Sequence, residues 1–210
     1  MSIESNKTEF INLFKSNVNR GGVTEFLDYL ERETDFYTAP ASTVYHSDFE
    51  GGLCEHTLNV YKNVIKLAEL FCPNKYSLET LTLVSLLHDL SKVNFYEKSI
   101  VNKKVYSPNG SKYDDLGRFD WKSFYTYKIK EKEFKYVAGT HGFNSYFMAK
   151  KFFDLNDEEA LAIVHHHAGM DEQAPLRDLD EILHRNQLIM LLHLADMSAC
   201  YFQENKVLNE

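Results

Sequence analysis

The chain has 210 residues, of which 44% are hydrophobic and 26% are charged. These proportions are ordinary for a folded protein and the length matches one domain, so we expect a single domain over residues 1–210. The formal net charge of −8 disfavours a protein whose main task is to cover a nucleic-acid backbone. No apolar run reaches the length of a membrane span and the first residues lack a signal-peptide pattern, which predicts a cytoplasmic protein with no membrane partner.

Two helices are predicted before the first proline. Asn6 and Glu9 have the spacing of a capping box, which predicts a helix from Asn6 to the Gly21-Gly22 pair. A second, shorter helix is predicted over 23–33.

Two further helices carry unusual polar residues. Apolar residues recur at helical spacing after Gly51-Gly52 until Pro73, and His56 lies in the first turn of this helix. Ser77 can cap the next helix, which is apolar nearly all round and carries the His88-Asp89 doublet. Such a helix is expected at the centre of the protein.

Residues 93–137 have a different composition, rich in Tyr, Phe and Lys and without helical periodicity. With the turn signal at 107–110, this segment predicts an irregular insertion with a β-hairpin that serves as a lid over the cleft. Helix returns near His141, and Asn156 with Glu159 forms a second capping box for a helix that ends at a run of three histidines.

The end of the chain predicts a loop over 171–175 and a last helix that starts at about Asp180 or Asn186 and carries Asp196 on its apolar side. The predicted fold class is therefore all-α, with one small β-hairpin insertion.

Most members of one set of histidines and aspartates interrupt apolar helical runs, where an uncompensated charge or imidazole is costly. This set comprises His56, His88, Asp89, His141, His165, His166, His167 and Asp196. A single residue of this kind more often forms a salt bridge or a hydrogen bond. A shared, buried metal site is favoured here because several helices each supply such a residue.

The ligand types indicate which ions are suitable. Mixed imidazole and carboxylate ligands suit Mn²⁺, Fe²⁺, Co²⁺, Ni²⁺ or Zn²⁺ better than Mg²⁺ alone. The three cysteines form no Cys-x-x-Cys pair and are interpreted as reduced core thiols, which argues against a closed structural zinc site.

The order His56, His88-Asp89, Asp196 on successive helices resembles the H…HD…D signature of the HD superfamily of metal-dependent phosphohydrolases. The segment Gly51–Thr57 is similar to the Gly-Gly-Leu-x-x-His-Thr entry of that signature. The resemblance covers about 49–201 and implies a mostly α-helical HD-domain bundle.

The same resemblance implies ligands for one or two divalent ions. His56, His88, Asp89 and Asp196 would hold the first ion. Asp89 would bridge to a second ion held by His141 and His166, with His167 as an alternative or additional ligand. His165 is expected to point away, because three consecutive helical residues point in three directions.

Two basic side chains are candidates for substrate contact. Lys92 follows the doublet by about one helical turn and could reach a phosphate, although a cation at a helix C-terminus is also a sufficient explanation. His46 could line the cleft or simply be exposed. His193 is expected to pack or hydrogen bond, and His184 to lie on the surface.

The leading functional prediction is hydrolysis of a phosphoester or phosphoanhydride bond, with Asp89 and Lys92 in the catalytic machinery. The predicted partners are a phosphorylated small molecule, a nucleotide or a short single-stranded nucleic acid. The lysines of the insertion alternate with aromatic residues, a mixture that can bind such strands but also occurs in a solvated hairpin. A di-iron oxygenase and a non-catalytic, nucleotide-binding regulatory module remain alternatives, and the oligomeric state is open.

Overall fold

The computed structural model describes residues 2–131, 139–169 and 176–204, with the side chains of 176–179 left aside. The helices are α1 (Ile3–Asn17), α2 (Val23–Glu33), α3 (Gly52–Phe71), α4 (Leu78–Leu87), α5 (His141–Ala149), α6 (Asp157–Val164), α7 (Leu176–Arg185) and α8 (Gln187–Ser198). The strands are β1 (Tyr96–Tyr106), β2 (Lys112–Asp114) and β3 (Gly117–Ile129). Within these ranges, no helix is both long and apolar enough to cross a membrane.

The predicted fold class is correct in its main part and wrong in one respect. The chain is mostly helical, but it also contains a three-stranded antiparallel sheet with the order β1-β3-β2, so it is not all-α. The sheet lies where a single hairpin was predicted, and β2 pairs with β3 inside the connection. Part of the predicted insertion, 132–138, and the predicted loop at 171–175 lie outside the described residues.

The predicted start of the first helix at Asn6 is wrong, because Ser2 caps α1 instead and accepts a hydrogen bond from the Ser5 N–H at 3.2 Å. Asn6 is buried within the helix and donates to Glu55 on α3 at 3.1 Å. The helix predicted over 23–33 is confirmed.

Two predicted helical placements need correction at the candidate site. The helix capped by Ser77 ends at Leu87, so His88 and Asp89 lie at its C-terminal junction, before a single 3-10 turn over Leu90–Lys92. The histidine run likewise follows the end of α6, whose capping box of Asn156 and Glu159 is confirmed. At both places the chain leaves the α-helical path, and neighbouring side chains can therefore point to one centre.

The last predicted helix begins at the later of its two predicted starts, Asn186. Asn186 ends α7 and caps α8, and its side chain accepts a hydrogen bond from the Leu188 N–H at 3.1 Å. This break lets α8 pack against α3 and α6 in the core.

The core is built around α3, which packs against α1, α4 and α8. Every residue of α4 from Leu81 to Leu87 is buried, as its nearly uniform apolar sequence predicts. α5 packs closely on α6 because Gly142 has no Cβ; a Cβ there would lie 2.5 Å from the Val164 carbonyl oxygen. These contacts bring the start of α3, the end of α4, the start of α5 and the end of α6 to one region.

Candidate metal centre

The candidate ligands come from five separate segments of the fold. They are His56 in the first turns of α3, His88 and Asp89 after α4, His141 at the start of α5, His166 and His167 after α6, and Asp196 in α8. All of them are buried except His141 and His167, which are partly buried.

The first group of ligand atoms surrounds Nε2 of His56. This nitrogen lies 3.3 Å from Nε2 of His88, 3.3 Å from Oδ1 of Asp196 and 3.4 Å from Oδ2 of Asp89. The Asp89 Oδ2 atom is also 3.4 Å from Nε2 of His88. Ligand bonds of 2.0–2.2 Å at tetrahedral or octahedral angles place neighbouring donor atoms about 2.8–3.6 Å apart. The first group therefore has the spacing of one coordination shell.

The second group uses the other oxygen of Asp89. Nε2 of His141 lies 2.9 Å from Nε2 of His166 and 3.6 Å from Oδ1 of Asp89. The distance from Nε2 of His166 to the same oxygen is 3.9 Å. The rings of His141 and His167 are 4.3 Å apart, and His167 also lies 3.8 Å from Oδ2 of Asp196.

Asp89 connects the two groups, because its two oxygens face different sets of imidazoles. Oδ1 is buried and accepts no hydrogen bond from any described residue. A buried carboxylate oxygen without a donor is costly unless a cation compensates it. This oxygen therefore supports the fit of a second ion among His141 and His166.

Backbone carbonyls determine which imidazole nitrogen is available for an ion. Nδ1 of His88 donates to the Ser85 carbonyl at 2.8 Å, and Nδ1 of His166 donates to the Ile163 carbonyl at 2.8 Å. The Nε2 atom of each ring consequently carries a lone pair. Both lone pairs point at the shared centre, which is the arrangement that metal-binding histidines need.

Glu204 supports His56 in the same way, although the sequence did not indicate it. Its carboxylate lies 3.1 and 3.2 Å from Nδ1 of His56. It also accepts hydrogen bonds from Asn59 and Ser47, both at 2.9 Å. Glu204 is 148 positions from His56 and lies beyond the last predicted helix, so no spacing pattern connects the two residues.

The electrostatics of the first group indicate that a positive charge belongs there. Burial lowers the pKa of His56, but Glu204, Asp196 and Asp89 outweigh it and raise that pKa well above 6.5. Burial raises the pKa of Asp89, but Lys92, His88 and His56 hold it well below its usual range. Without an ion, a proton on His56 compensates part of the negative charge, and a bound cation would replace it.

His166 has the opposite preference. Burial and the neighbouring rings of His141, His167 and His88 lower its pKa well below 6.5. The ring therefore stays neutral, which is the form that binds a metal.

Lys92 and His46 lie beside the ligands. The Lys92 ammonium is 2.7 Å from Oδ2 of Asp89, and this charge raises the lysine pKa although burial opposes it. The His46 ring is 4.9 Å from that of His56, and burial together with the charges of His56 and Lys92 lowers its pKa to about 4. His46 is partly buried and neutral rather than a charged surface residue.

The other histidines have different places. His193 hydrogen bonds through Nδ1 to the His166 carbonyl at 2.9 Å and so steadies the segment after α6. His184 is exposed on α7. His165 caps the end of α6 and is in none of the metal-binding groups found among the described residues.

One cysteine, Cys200, also lies near the centre. Its thiol donates to Oδ1 of Asp196 at 3.4 Å. Burial raises the pKa of Cys200, so it remains a thiol and steadies the aspartate as a hydrogen-bond donor.

A cleft of about 550 Å³ opens beside this centre. Its lining includes the polar side chains of Lys92, His167 and Asp196 and the rings of Tyr45 and Tyr201. This volume is within the range of small-molecule sites, so the centre is reachable by a ligand.

No protein-family model, curated protein or solved structure matches this chain. The buried His and Asp groups lie close enough together to hold a metal ion. The resemblance to the HD superfamily thus depends on the motif residues themselves.

Proposed function

We propose that this protein is an HD-type, metal-dependent phosphohydrolase that cleaves a phosphoester or phosphoanhydride bond of a nucleotide or nucleic-acid substrate. The observation that carries the proposal is the position of Asp89, whose two oxygens face two groups of imidazole nitrogens. A bridging carboxylate between two ion sites is a common feature of enzymes that hydrolyse phosphate esters.

His56, His88, Asp89 and Asp196 would hold one ion, and Asp89, His141 and His166 the other. Mn²⁺, Fe²⁺, Co²⁺, Ni²⁺ or Zn²⁺ would suit this donor set. When bound, two such ions polarise a phosphoryl group and lower the pKa of water between them.

The protein itself contributes charge and orientation. Glu204 and the Ser85 and Ile163 carbonyls hold the imidazoles in a fixed direction. With Asp89 compensated by ions, the partly buried Lys92 ammonium would be able to donate to a phosphate oxygen and stabilise the negative charge that develops there. His46 lies beside this position and, as a neutral imidazole, can donate or accept a hydrogen bond.

The cleft supports a nucleotide as the substrate. Lys92 in its lining suits a phosphate, and Tyr45 and Tyr201, which are 83% and 56% exposed, offer aromatic faces to a base. A substrate that combines a phosphate with a flat ring matches this lining.

The decisive experiment combines metal analysis with turnover. The purified protein should contain up to two divalent ions per chain, and the metal-free protein should recover activity when one of the candidate ions is restored. The panel comprises nucleoside monophosphates and triphosphates, cyclic nucleotides, short single-stranded RNA and DNA, and bis(4-nitrophenyl) phosphate. Hydrolysis that persists after complete metal removal would contradict the proposal.

Two site variants and one control variant test the proposal further. Asp89→Ala should remove both ions and all turnover, whereas Asp180→Asn, which changes an exposed carboxylate on α7, should change neither. His141→Ala should reduce the metal content from two ions to one, because it removes a ligand of the second group alone.

The same assays separate the alternatives. A di-iron oxygenase would require iron and consume oxygen, so undiminished phosphate release under anaerobic conditions excludes it. A regulatory module would bind nucleotides without turnover across the whole panel.

A further inference from the structure

One face of the sheet carries large aromatic side chains together with lysines. β1 and β3 are antiparallel partners from Tyr96↔Ile129 to Tyr106↔Phe119, and directly opposed residues share a face. One face carries Lys98, Ile100, Lys104, Trp121, Tyr125 and Tyr127. This set is called the aromatic face below.

The rings of the aromatic face are in contact with solvent. Tyr125 is 85% exposed, Ile100 is 60% exposed and Trp121 is 51% exposed. The Lys104 ammonium lies 5.9 Å from the centre of the Trp121 ring and 4.5 Å from that of Phe119. Large exposed rings interleaved with cations are typical of surfaces that bind single strands, because bases stack on the rings while cations attract phosphates.

The charge of the sheet region supports a polyanionic partner. Residues 96–130 contain eight basic and four acidic side chains, a net charge of +4 in a chain whose net charge is −8. A positive segment on an otherwise negative protein attracts an anion locally and repels a second copy of the same segment.

The aromatic face also begins beside the candidate metal centre. Tyr96, at the base of β1, follows Lys92 by four positions and donates a hydrogen bond to the Ala41 carbonyl at 3.3 Å. Tyr96 shares the face of Lys98 and Ile100, since alternate residues of a strand point to the same side. A strand of 11 residues spans about 35 Å, so the face extends well away from the centre.

We propose that the aromatic face binds single-stranded nucleic acid, with bases stacked on Trp121 and Tyr125 and phosphates near Lys98 and Lys104, and directs one end of the strand towards the cleft. The inference deepens the proposed function by naming the substrate class, and it depends on that function only for cleavage. Exposed rings with lysines opposite Trp121 and Tyr127 suit single bases and their phosphates better than a protein partner, whose interface would need a continuous apolar patch.

Binding is measured on the metal-free protein in EDTA, so that no cleavage can occur. Fluorescein-labelled ten-nucleotide single strands of RNA and DNA are titrated and followed by anisotropy. We expect saturable binding to at least one of them, and affinity that falls as salt is raised. Trp121 is the only tryptophan of the chain, so its fluorescence should be quenched as a base stacks on it.

Trp121→Ala and Tyr125→Ala should each weaken binding by about 10-fold or more, since stacking on one ring contributes that much to affinity. The matched control is Phe124→Ala, which removes a ring that is 43% exposed on the opposite face of the same strand. Circular dichroism and metal binding check that each variant is folded.

The outcomes are distinct. Three results would each overturn the aromatic face as a nucleic-acid site. They are an absence of saturable binding to both RNA and DNA, an equal loss of affinity in Phe124→Ala, and a change of oligomeric state in Trp121→Ala. Metal-loaded Trp121→Ala should still hydrolyse bis(4-nitrophenyl) phosphate at the wild-type rate. If strands bind but no substrate of the panel is hydrolysed, the proposed function fails while the binding surface stands.

Discussion

At the scale of single residues, hydrogen bonds that Nδ1 makes orient three imidazoles so that their Nε2 atoms face one centre. His88 and His166 donate to the carbonyl of the residue three positions earlier, and His56 lies against Glu204. These contacts hold each ring with Nε2 towards the shared centre, so little reorganisation would accompany the binding of an ion.

Glu204→Gln keeps the size of the side chain but removes its charge from Nδ1 of His56. We expect the affinity for the first ion to fall by about 10- to 100-fold, the usual effect of losing a carboxylate behind a ligand histidine. Isothermal titration with Mn²⁺ or Zn²⁺ measures the change. Glu50→Gln, which alters an exposed partner of Lys98, is the control, and equal affinities in wild type and Glu204→Gln would refute the assigned role.

Lys92→Met tests how the charge of Asp89 is compensated. In the metal-free protein we expect a loss of about 3 kcal/mol in the free energy of unfolding, because the buried carboxylate loses its ammonium partner. Bound metal should recover most of that loss, while kcat/KM for a phosphate substrate should still fall by about 100-fold. Urea denaturation with and without metal measures the first effect.

The control for this variant is Lys62→Met, whose ion pair with Glu9 lies on the surface and contributes at most about 1 kcal/mol. Unchanged stability of metal-free Lys92→Met would show that Lys92 does not compensate Asp89.

At the scale of elements, the second group depends on how closely α5 and α6 approach. Gly142 directly follows His141, and a Cβ on it would lie 2.5 Å from the Val164 carbonyl oxygen and 2.7 Å from that of Ile163. Because this position has no side chain, the helices can approach until Nε2 of His141 lies 2.9 Å from Nε2 of His166.

Gly142→Ala should push α5 away from α6. We expect a loss of about 1–3 kcal/mol in stability from the overpacked contact. The affinity for the second ion should fall by about 10-fold or more, while the first ion remains bound. Gly21→Ala is a matched control, because a Cβ there meets nothing within 4 Å. Metal titration distinguishes the two sites, and full retention of both ions in Gly142→Ala would contradict the interpretation.

At the scale of the whole molecule, the candidate ligands connect α3, the end of α4, the start of α5, the segment after α6, and α8. An ion held by residues so far apart in sequence binds the folded chain and not the unfolded one. Its binding free energy therefore adds to the stability of the whole fold.

Metal removal should lower the melting temperature. At a thousandfold excess of ion over Kd the stabilisation is about 4 kcal/mol, which corresponds to a shift of about 8–16 °C for a chain of this length. Differential scanning calorimetry with EDTA and with each restored ion measures the shift. If no candidate ion raises the melting temperature of the metal-free protein, the centre does not bind metal in solution.

Local sequence was sufficient for most of the helices. The α2 bounds, the Ser77 cap and the Asn156–Glu159 capping box follow from propensities and hydrogen bonds within a few residues. The candidate ligands stood out for a similar reason, because most of them interrupt an apolar run. Local signals were misleading at Asn6, which is buried against Glu55 and does not cap α1.

Only the tertiary structure decided how the candidate ligands meet. The ends of α4 and α6 fall beside their histidines, Gly142 closes the gap between α5 and α6, and Glu204 reaches His56 from 148 positions away. Residue spacing does not indicate that the two oxygens of Asp89 face two groups of imidazoles, nor that Glu204 contacts His56. Both depend on the packing of α3, α5, α6 and α8, which long-range contacts determine.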